Sequence, residues 1–210
     1  PGLLGTTVSL TVTHGAANYV QLSVPASTRN AKTSSPITAT IFDAEGNRVT
    51  SGAQSTQTVT LTANGASISG LSAISASGGI ATFSNVALRG VIGTKSISAT
   101  IQSPGPIAAS QNLELTFGDP FRLDLTTNAA GFVNRVVFDT APEVTVRDVS
   151  DNVVPATGMN IRVSVTTASI SGSVTASAAT GVASFASNLV LRGLVGSHTL
   201  TFTAEGTSSS

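Results

Sequence analysis

The stretch Leu88-Arg89-Gly90-Val91-Ile92-Gly93 returns 103 positions later as Leu191-Arg192-Gly193-Leu194-Val195-Gly196. Each copy runs into a segment with an apolar residue at every second place: Ile97, Ala99 and Ile101 after the first, Leu200, Phe202 and Ala204 after the second. Upstream, Gly79-Ile80-Ala81-Thr82-Phe83 matches Gly181-Val182-Ala183-Ser184-Phe185. Ala66-Ser67-Ile68-Ser69-Gly70 matches Ala168-Ser169-Ile170-Ser171-Gly172 in the same way. A period of 101 to 105 residues, slipping slightly in loops, is too long for a solenoid unit and suits two consecutive domains.

The period-two alternation reads as short half-buried strands. In the first repeat they fall at Tyr19–Val24, Ile37–Ile41, around Val59 and Leu61, near Ile68, at Ile80–Phe83, Val86–Leu88, Lys95–Ile101 and Leu113–Phe117. Pro25, which cannot donate to a ladder, closes the first of them. Asp43, Gly46 and Asn47 supply the backbone angles of a tight turn after the second. The second repeat starts at Phe121, Leu123 and Leu125, places Pro142, Val144, Val146 and Asp148 where Ile37, Ala39, Ile41 and Asp43 stood, and continues through Ile161, Val163 and Val165. No segment has the 3.6-residue period of an amphipathic helix, so the expected fold is an antiparallel β-sandwich, twice.

Composition narrows the function. With 210 residues, each repeat is large enough to bury its own core. Ten basic and ten acidic residues give zero formal charge, so nothing favours nucleic acid or an anionic membrane. No apolar run approaches the ~18 residues of a membrane span, and no membrane insertion is expected. There are no cysteines, so stability cannot depend on disulfides. No signal peptide is recognisable, and an opening Pro1 without methionine reads as a processed product or an excerpt of something longer.

The termini do not match the repeats. Val8, Leu10 and Val12 align with Leu113, Leu115 and Phe117, the last strand of repeat one, at an offset of 105. The chain therefore opens, in residues 1–14, on a last-strand segment with no domain before it. It closes on Glu205-Gly206 and a Ser/Thr tail, without a last strand for repeat two. Residues 14–18 span at most ~17 Å, too little for the opening segment to reach the far repeat of its own chain. The expected solution is a strand from another polypeptide, with Val8, Leu10 and Val12 entering the second sandwich beside Val144, Val146, Leu200 and Phe202. Such a head-to-tail contact builds an open fibre. The alternative is a segment of a long covalent array that begins and ends within a repeat.

Few residues suggest chemistry. His14 and His198 have no second histidine or cysteine at ligand spacing, so no metal site is expected. Asp43, Glu45 and Asn47, with Asp148, Asp151 and Asn152, are weak calcium candidates through their hard oxygens, but turn formation explains the same residues. Lys32 or Lys95 beside a carboxylate could form an isopeptide, although repeat two has no lysine. Arg89 and Arg192 precede turn glycines and cover a sandwich end. No nucleophile elbow, phosphate-binding glycine loop or repeated carboxylate pair is present, so no catalysis and no cofactor are expected. For a ligand-binding platform only Tyr19 and Phe132 stand out as loop aromatics.

At Asp43-Ala44-Glu45-Gly46-Asn47-Arg48-Val49, at Gly79–Phe83 and at Gly93-Thr94-Lys95-Ser96-Ile97-Ser98-Ala99, the sequence resembles bacterial immunoglobulin-like repeats of the invasin and intimin type. Both repeats are covered. The resemblance implies stalks of surface adhesins or building blocks of extracellular fibres. Two departures stand out: Lys95 and His198 occupy a place where such repeats often carry tyrosine, and the last strand is displaced to the front.

The combined expectation is all-β: two tandem immunoglobulin-like antiparallel sandwiches, residues 18–118 and 119–210, with an extra N-terminal strand and a second domain lacking its last strand. The expected role is a non-catalytic structural subunit of an extracellular bacterial fibre or surface appendage, polymerising by donor-strand complementation. An adhesin stalk segment, or a module binding glycan or receptor, is the alternative. The expected partners are further copies of the chain or adjacent repeats, and a host or neighbouring cell surface.

Overall fold

The computed structural model describes residues 6–206. Their regular structure is strand, apart from a single 3-10 turn at Ala53–Ser55. In the first repeat the strands are β1 (Tyr19–Ser23), β2 (Ser27–Arg29), β3 (Ile37–Phe42), β4 (Thr58–Asn64), β5 (Ser67–Ser69), β6 (Ala73–Ser75), β7 (Ile80–Phe83), β8 (Ala87–Arg89), β9 (Gly93–Ile101) and β10 (Ile107–Thr116). The second repeat carries β11 (Arg122–Thr127), β12 (Glu143–Arg147), β13 (Asn160–Val165), β14 (Ser169–Ser171), β15 (Thr175–Ser177), β16 (Val182–Ser184), β17 (Val190–Arg192) and β18 (Leu200–Glu205).

Two compact units form. The first takes the chain up to Ala26, Ser34–Val86 and Lys95–Leu113, and the second takes Ser27–Thr33, Ala87–Thr94 and the chain from Glu114. In the first unit β3 pairs with β1 on one side and β7 on the other, both antiparallel. The opposing sheet has β4 between β6 and β9, with β10 beyond β9. Placing the first, second and fifth main strands on one sheet and the third, sixth and seventh on the other is the immunoglobulin distribution.

Burial follows the alternation. In β4 the inward Val59 and Leu61 are buried, while Thr58, Thr60 and Thr62 face water. Threonine suits that outer face because its branched Cβ favours the extended backbone and its hydroxyl stays hydrated. The abundant Ser and Thr are therefore the outward half of a two-residue code, and Ile37, Ala39, Ile41, Phe83, Ile97, Ala99 and Ile101 are its inward half.

The second unit repeats the plan with β11-β12-β16 as one sheet and β15-β13-β18 as the other. Its core joins Val144, Val146, Ile161, Val163, Phe185 and Leu189, with Leu123, Leu200 and Phe202 packed against it half-buried. Within this unit the short β2 also pairs in parallel with the end of β10, Leu115 opposite Thr28.

The segment expected to donate a strand, at the start of the chain, has no partner strand among the described residues. Residues 6–15 make no strand, and Val8, Leu10 and Val12 are 81%, 84% and 90% exposed. Alternation prepares a segment for a sheet, but a strand exists only where a second backbone supplies the matching N–H and C=O groups. No described segment does so here.

Candidate strand-accepting edge and the aspartate turns

The turn after β3 is built around one carboxylate. Asp43 Oδ1 accepts the N–H of Glu45 at 3.1 Å and of Asn47 at 2.7 Å, while Oδ2 accepts the N–H of Gly15 at 2.7 Å and Asn47 Nδ2 at 3.0 Å. Gly46 takes the left-handed backbone angle, φ +84°, that closes the loop. The second repeat builds the same turn: Asp148 Oδ1 accepts the N–H of Ser150 at 2.8 Å and of Asn152 at 3.0 Å, and Oδ2 accepts the N–H of Gly118 at 2.9 Å. Asp151 stands where Gly46 stood and adopts φ +67°, so the acidic residue is a substitute for glycine in the turn.

These contacts show what the calcium candidates do. Asp43 and Asp148 spend their oxygens on N–H donors, Glu45 contributes only its backbone N–H, and Asp151 Oδ1 faces Arg122 Nη2 at 2.8 Å. Among the described residues no three metal-capable side chains cluster. His14 Nε2 meets Ser51 Oγ at 2.9 Å, and the His198 ring lies between Thr167 Oγ1 and the Leu194 carbonyl, each at 2.8 Å. Lys32 forms a surface ion pair with Asp119. Lys95 is half-buried, its stem lying beside Gly65.

The hydrogen bond from Gly15, with those from Asn47 and Glu45, outweighs burial and holds the Asp43 carboxyl down at about 2. An unfolded Asp titrates near 3.9. A carboxyl depressed by folding contributes stability that is full above the unfolded value and fades as pH falls towards the folded one. The first unit should therefore weaken between about pH 4 and about pH 2. An Asp43→Asn chain, followed by circular dichroism in urea, should lose that part of the pH slope. Asp148 shifts the same way: burial pushes its carboxyl up, but the donors from Gly118, Asn152, Asn30 and Ser150 more than offset it.

The second feature is an edge. β18 pairs with β13 from Asn160↔Glu205 to Val165↔Leu200, and no described strand lies along its other side. In the first repeat β10 fills that place beside β9. Thr94 Oγ1 meets Glu114 Oε2 at 3.0 Å and Ser98 Oγ meets Ser110 Oγ at 2.6 Å, so position rises on one strand as it falls on the other and the pair runs antiparallel. Leu113 then lies opposite Lys95, and Leu115 opposite Gly93. Under this cover Ile97, Ala99 and Ile101 are fully buried, whereas their counterparts Leu200 and Phe202 are half-buried and Ala204 is exposed. Depressions along the uncovered edge include one of about 260 Å³ lined by Phe132, Leu191, His198 and Leu200, and one of about 180 Å³ lined by Phe121, Leu123, Val146, Met159 and Ala204.

The acceptor residues named from sequence therefore divide. Val144 and Val146 lie in the core at 1% exposure, Val146 also lining the second depression, and Leu200 and Phe202 border the uncovered edge. Phe132 and Leu191 were missed as part of it. Phe132 lies in a loop without alternation, and Leu191 belongs to the repeat signature, which carries no sign of an edge.

No family model matches the sequence, and no curated protein matches it. Among solved structures the chain is similar to one described as the D0-D1 domain of Intimin, at 16% identity, covering 85% of this chain and 86% of that one with a TM-score of 0.32. The immunoglobulin-like assignment rests on the strand pairings above.

Proposed function

We propose that this chain is a non-catalytic structural module of an extracellular bacterial surface appendage, and that its second sandwich is completed by a strand from a second copy. The observation that carries the reading is the uncovered edge of β18 together with the exposed alternation at Val8, Leu10 and Val12. These side chains stand at the places of Leu113, Leu115 and Phe117. Transferring the β9–β10 register puts Val8 opposite His198 and Leu10 opposite Gly196, beside the depression lined by Phe132, Leu191 and Leu200. Backbone pairing would supply affinity and the alternate side chains specificity. An asymmetric contact of this kind propagates as an open fibre.

Electron microscopy of the purified chain tests this. Long fibres are expected from the intact chain, and none from a chain lacking residues 1–13 or carrying Leu10→Asp, which would drive a charge into an apolar slot. Monodisperse particles from all three overturn assembly by strand donation.

A second reading, a segment of a covalent stalk, is favoured by one observation: β10, the internal counterpart of residues 7–13, is continuous with the repeat it completes. On that reading the chain stays monomeric, yet a peptide of residues 6–14 still raises the unfolding temperature of the second unit in the truncated chain.

A further inference from the structure

Within the second unit the Asp148 turn is gripped by three residues that come from the first sequence repeat. Asn30 Nδ2 donates to Asp148 Oδ2 at 2.8 Å, and Asn30 Oδ1 accepts the N–H of Gly90 at 3.1 Å and Ser150 Oγ at 3.2 Å. Asn152 Oδ1 accepts the N–H of Ile92 at 3.0 Å, and its Nδ2 donates to the Gly90 carbonyl at 3.0 Å. Asn30, Asp148 and Asn152 are 1%, 0% and 6% exposed. Two amides and one carboxylate thus form a closed latch, with every buried side-chain donor and acceptor matched.

Both halves of the latch occur a second time, apart. The acidic half is the Asp43 turn, with Asn47 in the place of Asn152 and Gly15 in the place of Gly118. Asp43 Oδ2 has two donors, Gly15 and Asn47, where Asp148 Oδ2 has three. The amide half is Asn134 with Gly193: the Gly193 N–H donates to Asn134 Oδ1 at 3.3 Å, as Gly90 does to Asn30. Lacking the carboxylate, Asn134 turns its Nδ2 onto the Gly193 carbonyl at 3.1 Å. Val195, the counterpart of Ile92, is fully exposed beside it.

We propose that Asn134, Gly193 and Val195 of one copy close on Asp43 and Asn47 of the next, remaking this latch. The inference rests on the strand-donation reading, because the linker through Gly15 leads from the donated strand to the Asp43 turn as Gly118 leads from β10 to Asp148. The partner is then a second copy of the chain, bound by its first repeat. The latch, in addition to the inserted strand, fixes the angle between successive subunits.

The chain has no cysteine, which makes a clean test available. Glu45 stands where Ser150 touches Asn30, so the pair Glu45→Cys and Asn134→Cys, both at exposed positions, should after oxidation by dissolved oxygen give a ladder of disulfide-linked chains on a non-reducing gel. Adding Leu10→Asp should abolish the ladder. The pair Asn30→Cys and Ser150→Cys should close inside one chain, losing two hydrogens in mass with no ladder. Fibres that depend on Leu10 but give no ladder overturn the latch and leave strand donation standing. Neither fibres nor ladder overturns both.

Discussion

Replacing Asp148 with alanine should cost the second unit on the order of 3–5 kcal/mol, read as a loss of its urea or thermal midpoint by circular dichroism. The carboxylate is fully buried and ties together five groups: the N–H of Gly118, Ser150 and Asn152 and the side-chain amides of Asn30 and Asn152. Alanine leaves at least the Gly118 N–H and Asn30 Nδ2 buried without an acceptor, and each orphaned donor costs about 1–3 kcal/mol. Against a total of about 5–15 kcal/mol for a typical domain, that is enough to populate the unfolded unit. Asparagine should not rescue it, because an amide in this place turns N–H groups towards N–H groups. Asp43→Ala should weaken the first unit less, since among the described residues Asp43 has no counterpart of Asn30. A midpoint change equivalent to under about 1 kcal/mol at Asp148 would show that the turn is held by its backbone alone.

The same aspartate shows which parts of this protein were legible beforehand. Alternation at Val59 and Leu61, or at Ile97, Ala99 and Ile101, names strands and their inward faces directly, because the pleat converts sequence parity into burial. The turn at Asp43 was equally plain, since the partners that close it, Glu45 and Asn47, lie within four residues, although the Gly15 N–H comes from 28 residues away. What stayed hidden depends on distance along the chain. Asn30 lies 118 residues from Asp148 and sits beside the three-residue strand β2, which no periodicity could announce. The recurrence of an asparagine at 134, with Gly193 for Gly90, was the signal that could have found it. The opening segment is the opposite case: Val8, Leu10 and Val12 carry a strand's pattern, but no partner for them is among the described residues of the chain.

Alanine at Gly70 or at Gly172 should unfold the sandwich that carries it, with a loss of on the order of 3–5 kcal/mol and a drop of more than ~12 °C in that unit's melting temperature. The two glycines are counterparts in the repeats, at φ +102° and +103°. A side chain there meets two obstacles at once. That backbone angle lies outside the small left-handed region other residues tolerate. The added carbon would also stand 2.1 Å from the Asn85 carbonyl oxygen in the first repeat and 2.2 Å from that of Asn188 in the second. Since the obstacle is backbone, no rotamer change relieves it, and the chain on one side must move by more than an ångström. In the second repeat that movement also pulls Ser173 away from Asn188, which now accepts its N–H at 2.9 Å. Gly105→Ala, where an added Cβ meets nothing within 4 Å beyond the flanking prolines and φ is not positive, is the control and should leave both midpoints unchanged. Under the proposed strand donation the consequence reaches assembly, because among the described residues β18 of the second sandwich lacks the neighbour that β9 has in β10. On that proposal Gly172→Ala should remove strand acceptance and leave residues 7–13 able to donate, so that a small admixture caps growing fibres at one end. If either alanine chain melts within about 3 °C of the parent, the close approach at these glycines is not what shapes the two sandwiches.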